Sequence, residues 1–60
     1  MITVNGVEKI LEKPLSVTEY LETNKYVPVQ VAIELNDKIL ARELYPTTIL
    51  KEGDIMEIVS

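Results

Sequence analysis

The chain has 60 residues, a formal charge of −4 and 47% hydrophobic residues. This length accommodates one small domain, which we expect to span residues 1–60. The sequence contains neither Cys nor His. It therefore excludes disulfides, Cys/His zinc sites, Cys nucleophiles and imidazole bases, and with them most mechanisms by which a single small domain acts as an enzyme.

The acidic charge balance also bears on partners and location. The sequence pI is close to 4.6, there is no Phe or Trp, and Lys and Arg do not cluster. These features argue against binding to nucleic acid and favour a basic or neutral protein partner. The first residues lack the basic segment and long apolar stretch of a signal peptide or membrane span, so we expect no membrane association and a cytoplasmic location.

A β-hairpin is predicted at the start of the chain. Asn5-Gly6 is a strong hairpin signal, because both residues tolerate the positive φ angles of a type I′ turn. We place the first strand before this turn and the second strand after it, reaching Ile10 and Leu11. Pro14 then ends the second strand.

A short helix is predicted from Ser16 to Asn24. Ser16 and Glu19 have the spacing of a capping box, in which each side chain bonds the backbone of the other residue. Leu15 and Tyr20 have the spacing of a hydrophobic staple at the same helix end. Such a short helix persists only when it packs against the rest of the domain.

Three further strands are predicted in the second half of the chain. Residues 29–35 alternate large aliphatic with polar or small side chains, which is typical of a half-buried strand. A turn at Asn36-Asp37 leads to a short strand at 38–40, and 42–48 forms an irregular crossing with one tight helical turn. A turn at 51–54 precedes the last strand at 55–59.

This order of elements predicts an α+β fold of the β-grasp (ubiquitin-like) type. One helix covers one face of a mixed sheet of four to five strands, and the first and last strands are parallel neighbours. The predicted core residues are Ile2, Val4, Val17, Leu21, Val31, Ile33 and Ile58.

Several short segments resemble the ThiS family of ubiquitin-like sulfur carriers. They are Val4-Asn5-Gly6, Glu34-Leu35-Asn36 with Ile39 and Arg42-Glu43 after it, Leu50-Lys51-Glu52-Gly53-Asp54, and Glu57-Ile58-Val59. No single segment is specific, but their order and spacing span nearly the whole chain. The small subunit of molybdopterin synthase is similar in the last third and is typically longer between the helix and the third strand, so length favours ThiS.

The resemblance implies a carrier without enzymatic activity or a cofactor of its own. A partner adenylating enzyme (ThiF-like) activates a C-terminal Gly-Gly, which becomes a thiocarboxylate and donates sulfur to a thiazole synthase (ThiG-like). The present sequence stops at Ser60, and its two glycines, Gly6 and Gly53, lie in predicted turns. We expect the native chain to continue to Gly-Gly. The alternatives are a β-grasp interaction module that ends at Ser60 and has no carrier activity, or a molybdopterin-synthase-like small subunit.

The last strand also suggests where a partner binds. If Met56 and Ile58 point towards the helix, the alternation of the strand points its other side chains away from it, near Thr3 and Ala32. Isolated exposed aliphatic residues are common on protein surfaces. Arg42, which is followed by Glu43, could contact a partner carboxylate or simply form a surface ion pair, which contributes little. The predicted partner-binding residues are Ile55, Glu57, Val59, Ala32 and Arg42.

The three tyrosines have two interpretations. Tyr20, Tyr26 and Tyr45 could form a recognition patch, since tyrosine is enriched at binding surfaces. They could also fill the core or serve as the helix staple. The sequence leaves both possibilities open.

Overall fold

In the computed structural model, which describes residues 1–60, the chain forms five strands and one helix. Two single 3₁₀ turns, Pro28–Gln30 and Arg42–Leu44, complete the regular structure. No helix has the length and apolar character of a membrane span. The elements are β1 (Ile2–Val4), β2 (Val7–Lys9), α1 (Val17–Thr23), β3 (Ala32–Leu35), β4 (Lys38–Leu40) and β5 (Ile55–Val59).

The five strands form one mixed sheet in the order β2-β1-β5-β3-β4. Strand β5 lies at the centre, parallel to β1 and antiparallel to β3. The prediction that the first and last strands are parallel neighbours is therefore confirmed. With α1 packed on one face, the structure has the predicted β-grasp architecture.

Both hairpins turn through two residues with positive φ. Asn5 and Gly6 have φ angles of 50° and 82°, and Asn36 and Asp37 have φ angles of 53° and 68°. Positive φ at both central positions is the requirement of a type I′ turn, whose twist matches that of the flanking strands. These turns fix the register of β1 with β2 and of β3 with β4.

Helix α1 begins at the predicted capping box. The backbone N–H of Glu19 donates to Ser16 Oγ at 3.0 Å, and the Ser16 N–H donates to Glu19 Oε1 at 2.8 Å. Asn24 caps the other end, where its side chain donates to the Tyr20 carbonyl at 2.9 Å. The predicted helix limits are confirmed.

The core lies between α1 and one face of the sheet. All seven predicted core residues are buried, with Val17 and Leu21 contributed by the helix. Four further hydrophobic residues complete the core: Tyr20, Tyr45, Leu50 and Met56.

The prediction of a strand over 29–35 was wrong at its beginning. Pro28 opens a 3₁₀ turn, in which the Gln30 N–H donates to the Val27 carbonyl at 2.9 Å, and β3 begins only at Ala32. Proline favours the first position of a helical turn, because its φ is already suitable and its missing N–H is not needed there. Val29 is consequently 70% exposed rather than half-buried.

The second strand is also shorter than predicted, ending at Lys9 before Ile10 and Leu11. The turn fixes Lys9 opposite Ile2, the first residue of β1. Residues after Lys9 have no β1 residue left to pair with, and Ile10 is exposed.

Candidate partner-binding face

The sheet face opposite α1 is not covered by any element. Strand alternation and register place one set of side chains there, and we call this set the outer face. Its residues are Glu8, Thr3, Ile55, Glu57, Val59, Ala32, Glu34 and Ile39.

Large apolar side chains of the outer face are open to solvent. Ile39 is 83% exposed, Val59 58% and Ile55 50%. Ile39 and Val59 line a shallow depression of ≈ 180 Å³ with Ala32, Ile33 and Glu34. Contiguous exposed apolar surface is a feature of protein-interaction sites, which makes the outer face a candidate for binding another protein.

The structure brings four of the five predicted partner-binding residues onto the outer face. Ala32 is opposite Val59 in the β3–β5 register, Glu57 lies two residues before Val59, and Ile55 lies at the start of the same strand. The predicted orientation of β5 is therefore confirmed. That these residues bind a partner stays a prediction.

Arg42 lies apart, in the 3₁₀ turn that follows β4. Its Nη2 donates to the backbone carbonyl of Val31 at 3.1 Å, directly before Ala32. The surface ion pair suggested for Arg42 is absent, because the two salt bridges of the protein join Met1 with Glu52 and Lys51 with Asp54. This bond holds the guanidinium at the start of β3, next to Ala32.

Ile39 and Glu34 also belong to this face but were not among the residues predicted from the sequence. The Asn36-Asp37 turn places them directly opposite each other on β3 and β4. This turn was recognised, and counting outward from its two central residues would have paired Ile39 with Glu34. The alternation of β3 then assigns both side chains to the outer face.

Two glutamates meet at the centre of the outer face. Glu34 of β3 is directly opposite Glu57 of β5. Neither carboxylate takes part in a salt bridge, and the outer face contains no Lys or Arg. Like charges at directly opposed positions of neighbouring strands are unfavourable.

The C-terminal end of β5 is held on both sides. On the β1 side, the Ile58 N–H donates to Asn5 Oδ1 at 2.7 Å, and Asn5 Nδ2 donates to the Ile58 carbonyl at 3.2 Å. On the β3 side, Val59 pairs with Ala32. The chain therefore leaves the sheet at a fixed position beside Ala32 and Val59 of the outer face.

Comparison with known proteins identifies the family. The ThiS family model matches residues 2–60. The chain belongs to the ThiS family. A crystal structure of a thiamine biosynthesis protein (ThiS) from Geobacter metallireducens superposes with a TM-score of 0.85 at 36% identity, covering 97% of this chain and 88% of that chain. An NMR solution structure of a thiamine biosynthesis protein from the same organism gives a TM-score of 0.81 at 36% identity, with 97% and 78% coverage.

The comparison with curated proteins found no match. The family model and the two solved structures nevertheless indicate the same family, and each match covers nearly all of this ThiS-family chain. The resemblance drawn from the short sequence segments is thereby confirmed.

At the other end of β5, the ThiS-family chain buries one carboxylate. Asp54 is 3% exposed and accepts hydrogen bonds from Asn36 Nδ2 at 3.0 Å, the Lys51 N–H at 2.9 Å and Lys51 Nζ at 3.1 Å. Burial raises the pKa of Asp54, but these bonds and the Lys51 charge outweigh it and hold the pKa below its ordinary value. The ionised carboxylate therefore ties the loop before β5 to the β3–β4 turn.

The tyrosines of the ThiS-family chain belong to the core rather than to a recognition patch. Tyr20 and Tyr45 are buried and Tyr26 is half-buried against the core. The Tyr45 hydroxyl donates to the Val31 carbonyl at 3.3 Å. Burial, together with the neighbouring Tyr26, raises the pKa of Tyr20. The interpretation as a tyrosine patch was wrong.

Proposed function

We propose that this protein is a cytoplasmic sulfur carrier of thiamine biosynthesis. In this proposal it is not itself an enzyme, and it carries sulfur as a thiocarboxylate at the end of a C-terminal Gly-Gly tail. The observation that carries the proposal is the ThiS family match over residues 2–60. The similar ThiS structure is that of a thiamine biosynthesis protein, which supports the same pathway.

The chemistry requires two substitutions, the first at the α-phosphorus of ATP and the second at the terminal carbonyl carbon. A carboxylate oxygen attacks the α-phosphorus of ATP, and pyrophosphate leaves. A sulfide nucleophile then attacks the carbonyl carbon of the acyl adenylate, and AMP leaves with its electron pair. The ThiF-like partner supplies the nucleotide site, and a ThiG-like thiazole synthase receives the sulfur.

The geometry of β5 explains why such a carrier needs a tail. Ile58 and Val59 are bonded to neighbours on both sides, so a carboxylate close behind them reaches a nucleotide site only if the strand unpairs. Added residues each extend the reach by at most about 3.3–3.6 Å. Glycine at the end suits a narrow channel, because it has no Cβ.

The outer face is the proposed docking surface for the adenylating enzyme. It begins beside the point where the chain leaves the sheet, so a partner bound there holds the tail close to its nucleotide site. The contacting residues in this proposal are Ile55, Glu57, Val59, Ala32 and Arg42, and we add Ile39 because it is exposed on the same face.

Activation of an extended chain tests the proposal. We expect the 60-residue chain to be inert with the adenylating enzyme from its own genome and ATP. The same chain extended after Ser60 by a short flexible segment ending in Gly-Gly releases pyrophosphate. With sulfide present, its intact mass shows replacement of one terminal oxygen by sulfur.

The matched control carries an extension of equal length ending in Ala-Ala, which we expect to be activated poorly. Activity of the 60-residue chain would contradict the role of the tail. Failure of the Gly-Gly chain with its cognate enzyme would favour an interaction module without carrier activity.

A further inference from the structure

The outer face combines exposed apolar residues with an acidic centre. Ile39 and Val59 lie beside the directly opposed glutamates Glu34 and Glu57. A third glutamate, Glu8, lies at the β2 edge of the same face. The outer face is therefore apolar at Ile39 and Val59, and negatively charged at its centre and at its β2 edge.

The glutamate pair is unfavourable in the free protein. Side chains at directly opposed positions of antiparallel strands have Cβ atoms about 4.5–5.5 Å apart, and like charges at this separation repel. Neither Glu34 nor Glu57 has a cation in a salt bridge. A single cation placed between the two carboxylates would attract both of them and offset their mutual repulsion.

The pair also restricts what can cover the face. A second copy of this chain, with its own charge of −4, would bring four carboxylates together. A wholly apolar partner would remove both carboxylates from water without compensation, which is costly for any unpaired charge. A partner that supplies a cation within an apolar surface meets neither obstacle.

We propose that the outer face binds a protein surface on which one arginine is flanked by apolar side chains. The guanidinium lies between Glu34 and Glu57, and the apolar side chains pack on Ile39 and Val59. Arginine suits this position better than lysine, because its planar group presents five donors and can bond two carboxylates together. The inference rests on the proposed function, in which this surface belongs to the adenylating enzyme.

Neutralising the glutamates tests the inference. Affinity for the adenylating enzyme is measured by calorimetry at two salt concentrations for Glu34→Gln, Glu57→Gln and the double variant. Each single change is expected to weaken binding about tenfold or more, since it removes a buried partner of the cation. The double variant is expected to lose less than the product of the single losses, because one cation contacts both residues.

Glu22→Gln, an exposed position at the end of α1, is the control with the same charge change. It is expected to alter affinity little. In the free chain, each outer-face variant is expected to raise the urea midpoint of unfolding, whereas Glu22→Gln leaves it near the wild-type value. Weaker binding together with a more stable fold separates recognition from structural damage.

The outcomes distinguish this inference from the proposed function. If the Gly-Gly chain is activated but both glutamate variants bind like Glu22→Gln, the inference is overturned and the carrier function stands. If the loss of affinity in the double variant equals the product of the two single losses, the two glutamates do not share one cation. If the wild-type chain binds with the expected glutamate dependence but is never adenylated, the inference stands and the carrier function is overturned.

Discussion

At the scale of single residues, Asp54 is the only charged residue among those that are buried. Its carboxylate is held by Asn36 and by the backbone and side chain of Lys51. Because its pKa is lowered in the folded protein, folding favours the ionised form. The resulting stability is present above the ordinary Asp pKa of about 3.9 and is lost as pH falls through the lower folded value.

We predict that Asp54→Asn makes stability less sensitive to acid. At neutral pH the variant should lose about 1–3 kcal/mol of unfolding free energy, since it replaces a charge-assisted acceptor of three hydrogen bonds. The deficit relative to wild type should shrink below about pH 4 as the wild-type carboxylate becomes protonated. Urea unfolding at several pH values measures this difference.

Asp37→Asn is the matched control. Asp37 is exposed in the β3–β4 turn, and asparagine also accepts its positive φ. This variant removes one carboxylate and should follow the wild-type dependence on pH. If the loss of unfolding free energy in Asp54→Asn stays constant from about pH 2 to about pH 7, the assignment is contradicted, because this range spans the ordinary Asp pKa of about 3.9.

At the scale of elements, asparagine side chains extend the pairing of β5 at both of its ends. Asn36 accepts from the Ile55 N–H at 2.9 Å, and Asn5 bonds both backbone groups of Ile58. Each asparagine also occupies a positive-φ position of a hairpin turn. One residue type thus makes the turn and continues the sheet.

We predict that Asn5→Gly loosens the end of β5 while keeping the hairpin. Glycine adopts the positive φ of position 5, so the turn survives, but both side-chain bonds to Ile58 disappear. The Ile58 amide should exchange with solvent substantially faster, and stability should fall by about 1–3 kcal/mol. Hydrogen exchange followed by NMR reports the Ile58 amide directly.

Asp37→Gly provides the comparison, because it places glycine at another positive-φ turn position whose side chain makes no hydrogen bond to β5. It should leave Ile58 exchange unchanged. Equal acceleration in both variants would mean that turn flexibility, not the asparagine side chain, controls the strand end.

The elements differ in how far the sequence could predict them. The capping box and the Asn5-Gly6 turn are local, since their partners lie within a few residues, and both were predicted. The turn at Pro28 was missed because the alternation of the following residues suggested a longer strand. The opposition of Glu34 and Glu57 depends on pairing between strands that are distant in the chain, and no local pattern encodes that register.

At the scale of the whole molecule, the sheet depends on its last strand. Strand β5 joins the β1–β2 hairpin to the β3–β4 hairpin and contributes the buried Met56 and Ile58. Without it, each hairpin would present an open edge, and an isolated hairpin is marginally stable at best in water. The core between the sheet and α1 would also lose its central side chains.

We predict that the chain truncated after Asp54 does not fold, whereas the chain lacking only Ser60 keeps the native structure. The short variant should show little amide dispersion by NMR and no cooperative thermal transition. The longer variant retains all of β5 and should unfold cooperatively. Native-like dispersion in residues 1–54 would show that the two hairpins assemble without β5.

The central position of β5 also sets the timing of folding during synthesis. A ribosome delivers the strands in chain order, so the strand that unites the sheet emerges after the four strands it organises. Domains fold as units, and this one is incomplete until Ile55–Val59 have been made. Because the outer face takes Ile55, Glu57 and Val59 from the same strand, an unfinished nascent chain lacks the docking surface that we propose. We therefore expect the proposed partner enzyme to engage only chains translated through β5.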